Sequence, residues 1–272
     1  MFAALAVFTI ISCNKDSDID QSSLDIADDE AVSDAVFEDI FNTVDHADII
    51  LDDIQQNGLP KSAAVDSCPL VTIDHPDDAV WPKTITIDYG TLCTGYFGHT
   101  RSGKIKVLVT GPRREQGTSR SVTFEDYFIN GIHVEGTKVV ENKGINNNQN
   151  MVFSVTLTEG RLTLPDGRTI ERSVNHEREW ISGINTRNIW DDECLVTGTA
   201  EGVTLRGVSY VNTITTALHW KRVCQFITAG VVKIEREGSE PAVLDYGSGE
   251  CDAYATLTIG EKSKEILLKY HR

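Results

Sequence analysis

The sequence predicts a mainly β protein, an antiparallel multi-strand sandwich or curled meander preceded by an N-terminal helix, with a β-barrel as the alternative. Apolar and polar residues alternate with a period of two in many short segments after Pro60, which is typical of sheets with one buried face. Glycine-containing turns separate these segments. No clear helical period lies between them, which argues against a doubly wound α/β fold.

The predicted helical segment covers residues 28–58. Its apolar residues recur every three or four positions and so share one helix face; they are Val32, Val36, Ile40, Val44, Ala47, Leu51 and Ile54. Acidic residues crowd the first turn, where the helix dipole favours them, and Asn57-Gly58-Leu59-Pro60 ends the pattern. The segment fits one long helix or two short helices broken near Asp45-His46.

The predicted antiparallel β domain covers residues 66–272. Its alternating segments indicate about twelve to fourteen strands, the clearest at 84–87, 104–109, 121–124, 151–157, 208–214, 231–234 and 255–259. Short turns such as Asn130-Gly131 and Pro165-Asp166-Gly167 make consecutive strands antiparallel neighbours. Periodicity alone does not separate a sandwich, a meander and a barrel.

The first residues predict an exported, lipid-anchored protein. Residues 2–12 are apolar and stop at Cys13. This run is shorter than the roughly 20 residues that span a bilayer, but it fits a signal peptide. Ile10-Ile11-Ser12-Cys13 resembles a bacterial lipobox, which implies cleavage before Cys13 and acylation of that residue. We therefore expect a signal peptide at 1–12 and a lipid-anchored acidic tether at 13–27; the alternative is a frayed helix with an incidental cysteine.

The residues after Cys13 indicate where in the cell envelope the protein is expected to be. Lys15-Asp16 and Asp18 resemble the short signal, a lysine with acidic residues, that directs lipoproteins of Bacteroidota to the cell surface. We expect attachment to the outer membrane through the lipid, with the protein facing outward; a periplasm-facing lipoprotein is the alternative.

The net charge of −16 is unevenly distributed. Residues 14–53 contain 14 acidic side chains and one basic one, so the rest of the chain is nearly neutral. A block of one sign near the anchor is expected to repel anionic headgroups and stay solvated. The chain has no basic stripe of the kind that binds nucleic acid.

An apparent internal repeat suggests how the cysteines pair. Cys68 precedes a β-like stretch that ends in Asp88-Tyr89-Gly90 and Cys93, and Cys224 precedes one that ends in Asp245-Tyr246-Gly247 and Cys251. This pattern predicts an internal duplication with Cys68–Cys93 and Cys224–Cys251 disulfides. The alternative is that the Asp-Tyr-Gly tripeptide recurs by chance. Cys194 is left over and is expected to act as a small apolar residue.

Four stretches carry a resemblance to a known group. Residues 81–90, 100–105, 130–137 and 244–251, which include both Asp-Tyr-Gly segments, resemble uncharacterised β-rich lipoproteins of Bacteroidota. The resemblance covers most of the mature chain. It implies an envelope location and no particular activity.

The search for chemistry gives no catalytic residue, metal site or cofactor. No nucleophile elbow, phosphate loop, dinucleotide fingerprint or zinc-protease helix is present. Trp180 and Trp190 flank one predicted loop, with Asp191 and Asp192 beside the second tryptophan. Together they are weak candidates for an aromatic and acidic glycan site, although tryptophans more often pack in a core.

Two functions follow as hypotheses. The first is a non-catalytic envelope lipoprotein, a surface binding or scaffolding module with a glycan or protein ligand. The alternative is an exported glycan-active hydrolase, for which Asp126, Glu135, Glu177 and Asp191 are nominal carboxylates. A third, a lipid-carrying barrel, needs a continuous apolar cavity.

Overall fold

The computed structural model describes residues 19, 21–57, 68–76, 79–95, 98–186 and 188–268. The described residues form one long helix, α1 (Gln21–Asn57), and 14 strands. The strands are β1 (Leu70–Ile73), β2 (Lys83–Asp88), β3 (Cys93–Thr94), β4 (Thr100–Val109), β5 (Ser119–Ile129), β6 (Ile132–Ile145), β7 (Met151–Thr163), β8 (Thr169–Ser182), β9 (Glu193–Val203), β10 (Ser209–Lys221), β11 (Ala229–Glu235), β12 (Ala242–Ser248), β13 (Tyr254–Ile259) and β14 (Lys262–Leu267).

All the strands belong to one antiparallel sheet in which chain neighbours are sheet neighbours. The order runs from β1 to β14 without a crossover, and the short β3 pairs with β4 beside the main path. The predicted curled meander is therefore confirmed, and the two-sheet sandwich is not formed. The sheet is open, with β1 and β14 at its edges in the part of the chain that the structure describes.

Glycines bend the long strands. Gly103 in β4 has φ +80°, and a Cβ built there would lie 1.9 Å from the Asp126 carbonyl oxygen. Gly136 in β6 and Gly230 in β11 also have positive φ, and a Cβ built at either position would clash with the neighbouring backbone. The strand register shifts at all three positions. Bulges of this kind increase strand twist and bending, so the sheet curves into a concave face.

The concave face wraps around α1. Val32, Val36 and Ile40 pack with residues of β2, β4 and β5, whereas Phe41 packs with Trp180 and Trp220 of β8 and β10. Five consecutive residues, 29–33, are all buried, so protein surrounds the helix on every side there. The predicted helix is confirmed as one unbroken element, and it begins earlier than expected, at Gln21.

The expectation of a solvated acidic block is wrong for its described helical side chains. Asp29, Glu30, Asp45 and Asp48 of α1 are buried. Their carboxylates lie against basic side chains of the sheet and its connections or, for Asp29, accept a hydrogen bond from the backbone N–H of Leu205 at 3.0 Å. These contacts come from residues far away in sequence, so the charge of these four side chains is not left to the solvent.

The cysteine pairing is confirmed. Cys68 is bonded to Cys93 and Cys224 to Cys251, while Cys194 is a buried free thiol. The two Asp-Tyr-Gly segments form the same local turn, in which the aspartate Oδ1 accepts the glycine N–H at 2.8 Å in the first and 2.9 Å in the second. A duplication of the larger segments stays a prediction. Cys13 and the predicted signal peptide lie outside the described residues.

No helix in the described ranges is both long enough and apolar enough to cross a bilayer.

Candidate ligand-binding groove

A groove crosses the face of the sheet that points away from α1. It has a volume of about 990 Å³ and is lined by residues from the six strands β6 to β11. The alternation of exposed and buried side chains along each strand shows that the groove lies on the outer face of the sheet. Glu135, Glu171 and Glu201 are exposed, whereas their neighbours Val134, Ile170 and Ala200 are buried. The groove is therefore open to solvent along its length. We call it the acidic groove.

Glycines form the floor of the acidic groove. Gly136, Gly160 and Gly202 lie in β6, β7 and β9. A Cβ would come within 2.8 Å of the Gly160 Cα at Gly136 and within 1.9 Å of the Glu171 carbonyl oxygen at Gly202. Side chains are thus absent where the strands bend, and a concave strip of backbone results.

Glutamates dominate the lining of the acidic groove. Six of them are present, at positions 135, 159, 171, 201, 235 and 237, against three arginines. Arg161 donates to Glu171 at 2.7 Å, and Arg172 points inward to Glu30 of α1. Glu235 is paired with Lys233, whose Nζ donates to it at 2.7 Å. The excess of negative charge therefore comes mainly from Glu135, Glu159, Glu201 and Glu237.

Strand register sets the spacing of these carboxylates. Glu201 of β9 and Glu235 of β11 are both paired with Val211 of β10, which lies between them. Two interstrand steps place their backbones about 10 Å apart. Glu135, Arg161 and Glu171 form a second row across β6, β7 and β8. The groove therefore offers carboxylates at regular intervals.

A smaller depression adjoins the acidic groove. It has a volume of about 580 Å³ and shares Glu135 and Gly136 with the groove. His133 stacks on Phe128 with ring centroids 4.7 Å apart, and its Nδ1 lies 3.8 Å from Glu135 Oε2. No cluster of three or more His, Cys, Asp or Glu side chains suited to a metal ion occurs within the described ranges.

The structure separates most of the carboxylates named for a hydrolase. Asp126 and Glu135 line the smaller depression together, whereas Glu177 and Asp191 line neither it nor the acidic groove. Asp191, in a short 3-10 turn, accepts a hydrogen bond from Thr186 Oγ1 at 2.9 Å. The four residues therefore do not form one catalytic set.

The predicted aromatic and acidic glycan site is not assembled. Trp180 is 1% exposed and packs edge-on against Phe153 and Trp220. Trp190 is 40% exposed, but Asp192 is buried and accepts a hydrogen bond from Arg222 at 3.1 Å. Trp180 is thus a core residue, which is the alternative noted from the sequence, and it presents no face to a sugar.

Carboxyl groups with a raised pKa lie away from the acidic groove. Burial raises the pKa of Asp34 to about 7 and that of Asp192 to about 6. Burial also raises the pKa of Asp48 and Asp52. Three of these residues are on α1 and the fourth binds Arg222 beside it. The protonation of these carboxyl groups therefore affects the contact between α1 and the sheet.

Sequence reasoning missed the acidic groove. Its glutamates come from five strands and the turn after β11, and their proximity depends on strand register. The available signal was the recurrence of glutamate at outward positions of successive strands, which alternation identifies only after the strand order is known.

Comparisons of the chain with protein-family models, with curated proteins and with solved structures give no match.

Proposed function

We propose that the protein is a non-catalytic envelope lipoprotein whose β body binds a ligand through the acidic groove. The observation that carries this proposal is the groove itself, with six glutamates against three arginines over a floor of glycines. Concave surfaces that gather one sign of charge concentrate ligands of the opposite sign. A binding module uses such a surface without any reacting group.

The chemistry of the acidic groove favours a cationic, extended ligand. The groove crosses six strands, a width of about 24 Å at the usual strand spacing. An extended peptide of about seven residues has this length. Lysine and arginine side chains of a protein ligand match the carboxylate rows, so we assign the ligand to basic peptide segments.

The envelope location rests on the sequence. Cys13 follows an apolar leader, Lys15-Asp16 resembles a surface-export signal, and four stretches resemble lipoproteins of Bacteroidota. Two disulfides support the same proposal because such bonds persist mainly in oxidising compartments. We propose attachment to the outer membrane by acylated Cys13, with the β body facing outward.

Metabolic labelling with an alkyne fatty acid tests the anchor. The proposal expects incorporation into the wild-type chain and none into a Cys13→Ser variant. Protease added to intact cells should remove the protein if it faces outward. Unlabelled wild-type protein contradicts the lipid anchor, and full resistance to protease in intact cells, with digestion after lysis, contradicts the surface location.

Calorimetry with a heptalysine peptide tests the acidic groove. Binding should weaken with salt and in a Glu201→Gln/Glu235→Gln variant. A Glu261→Gln/Glu265→Gln variant is the matched control, because it removes the same charge at exposed positions outside the groove. Equal weakening in both variants, or no binding by the wild type, contradicts the assignment of the ligand.

The hydrolase alternative has less support. Asp126 and Glu135 share the smaller depression, but Glu177 and Asp191 line neither it nor the acidic groove. The carboxyl groups with a raised pKa lie on α1 or, for Asp192, beside it. A glycosidase needs two carboxyl groups that act on one bond, one of them held protonated.

A further inference from the structure

A small cavity lies between α1 and the strands β10 and β12. It has a volume of about 20 Å³, which is enough for one water molecule or one ion of that size. Residues of α1 line one side, and Trp220, Tyr246 and the connection from β10 to β11 line the other. Ala31 and Ala35 of α1 face this space with short side chains, so the helix packs there without filling it.

Two buried oxygen atoms at this cavity have no hydrogen-bond partner. Tyr246 is 4% exposed, and its hydroxyl is unpaired among the described residues. Glu38 accepts a hydrogen bond from Arg178 through Oε1, whereas its Oε2 is buried and unpaired in the same part of the chain. Both side chains line the cavity. Each oxygen has lost its hydration without compensation, so either one can bind a small cation.

Asp34 adds a third oxygen ligand. It lies one helical turn before Glu38 and lines the same cavity. Its Oδ1 accepts a hydrogen bond from Arg172 at 2.6 Å, but Arg172 also binds both carboxylate oxygens of Glu30. Asp34 therefore has only a share of one guanidinium as its counter-charge.

The described charges around the cavity do not cancel at pH 8. Burial raises the pKa of Asp34 to about 7 and lowers that of Lys138, which interacts with Asp34 and Glu38, to about 7. Both groups are then largely deprotonated. Three carboxylates remain against two guanidinium groups, namely Glu30, Asp34 and Glu38 against Arg172 and Arg178. A buried charge without a partner is costly, and one monovalent cation balances it.

We propose that this cavity binds one alkali-metal cation, Na⁺ or K⁺, through Asp34, Glu38 and Tyr246. Carboxylate and hydroxyl oxygens are the ligands that hard cations prefer. A single uncompensated negative charge matches a monovalent ion better than Ca²⁺ or Mg²⁺. The site lies inside the contact between α1 and the sheet, and it depends neither on the acidic groove nor on the lipid anchor.

Thermal unfolding at pH 8 tests the site. The protein is unfolded in NaCl or KCl, with the ionic strength held constant by choline chloride, whose cation is too large for a cavity of about 20 Å³. An ion that binds only the folded state stabilises it in proportion to the logarithm of its concentration above the Kd. The Tm should therefore rise by several degrees as Na⁺ or K⁺ replaces choline. Equal Tm values in all three salts overturn the proposal.

Two tyrosine variants localise the effect. Tyr246→Phe removes one ligand and no charge, so it should lose most of the rise in Tm. Tyr89→Phe is the matched control, because Tyr89 belongs to the other Asp-Tyr-Gly segment and its hydroxyl donates to Thr43 Oγ1 at 3.5 Å. This variant should keep the full rise. An equal response of the two variants to Na⁺ and K⁺ overturns the assignment to this cavity.

A wild-type crystal keeps the test decisive if Tyr246→Phe does not fold. Thallium(I) substitutes for alkali-metal cations at oxygen sites and scatters X-rays anomalously. A crystal soaked in thallium(I) acetate at pH 8 should show an anomalous difference peak between Tyr246 Oη and Glu38 Oε2. The absence of a peak there, with or without an ordered water molecule in the cavity, overturns the proposal.

Discussion

Arg101 on β4 forms a bidentate ion pair with Asp39 on α1, through Nε and Nη2 to the two carboxylate oxygens. The side chains are 4% and 12% exposed, and 62 residues separate them in sequence. The guanidinium also lies over the ring of Tyr89, 5.9 Å from its centroid. This pair shows how the acidic helix is held: its buried carboxylates form ion pairs with arginines of the sheet and its connections.

Removal of one partner of this pair should be strongly destabilising. Asp39→Ala leaves Arg101 buried without its carboxylate, so we expect a loss of about 3–5 kcal/mol in the free energy of unfolding. Asp39→Leu combined with Arg101→Met should lose less, because no charge is left unpaired. Urea denaturation measures both.

The matched control for this prediction is the exposed pair of Lys106 and Glu125. Glu125→Ala should change the stability by no more than about 1 kcal/mol. An Asp39→Ala variant as stable as Glu125→Ala would show that the pair does not hold α1.

The glycine bulges make a second prediction about stability. Gly103→Ala places a Cβ against the Asp126 carbonyl oxygen at a positive φ, and should lose about 3 kcal/mol or more through strain and overpacking. Gly167→Ala has a similar φ of +84° and nothing within 4 Å, so it should lose only about 1–2 kcal/mol. Equal losses in thermal or urea unfolding would refute the close backbone contact at Gly103.

The raised pKa of Asp34 predicts how the free energy of unfolding depends on pH. Burial raises its pKa from 3.8 to about 7, and Glu30 and Glu38 add to the effect, although Arg172 opposes it. The folded protein therefore keeps a proton that the unfolded chain releases above its own pKa. The contribution of Asp34 to stability is present at low pH and is lost as the pH rises through about 7.

Urea denaturation at several pH values checks this sign. The free energy of unfolding of the wild type minus that of Asp34→Asn should fall between pH 3.8 and about 7. Asp166→Asn is the control, because hydrogen bonds from Arg168 lower the pKa of Asp166, and it should show no such fall. A difference that rises or stays flat for Asp34→Asn contradicts the assignment.

Cys194 should be unreactive in the folded protein. Burial raises the pKa of its thiol to about 12, although Arg178 Nη1 lies 3.7 Å away and opposes the shift. In a chain with Cys13→Ser, an aromatic disulfide reagent at pH 8 should detect no thiol in the native state and one after denaturation without reductant. Rapid labelling of the native protein, or several thiols after denaturation, would contradict the burial or the two disulfides.

The sequence predicted an antiparallel β body, with the curled meander among its alternatives, and also the helix and the cysteine pairing, because these depend on local patterns. Alternation identifies strands, short turns make neighbours antiparallel, and a three-to-four-residue period identifies α1. The repeated Asp-Tyr-Gly segments were enough to pair Cys68 with Cys93. The fold class follows from these patterns without any long-range information.

The placement of the acidic block was wrong because its partners are remote in sequence. Glu30 meets Arg172 across 142 residues, and Asp48 meets Arg120 across 72. A usable signal is present in β8, where Arg172 and Arg178 alternate in phase with the buried Ile170 and Trp180. Arginines at inward positions of a strand predict buried carboxylates elsewhere in the chain.

The acidic groove escaped prediction for a related reason. Its glutamates, such as Glu201 and Glu235, occupy outward positions that look like an ordinary solvated face in any single strand. Only the register of six strands, with Gly136 and Gly202 beneath, brings them into one concave surface.

Hydrogen exchange of the α1 amides tests the central claim most directly, namely that the acidic helix lies inside the curved sheet. Mass spectrometry of peptic fragments that cover residues 29–54 should show strong protection in the native protein, lost in urea and greatly reduced in the Asp39→Ala variant. Exchange of these amides at the rate of an unstructured peptide in the native wild type would contradict the account.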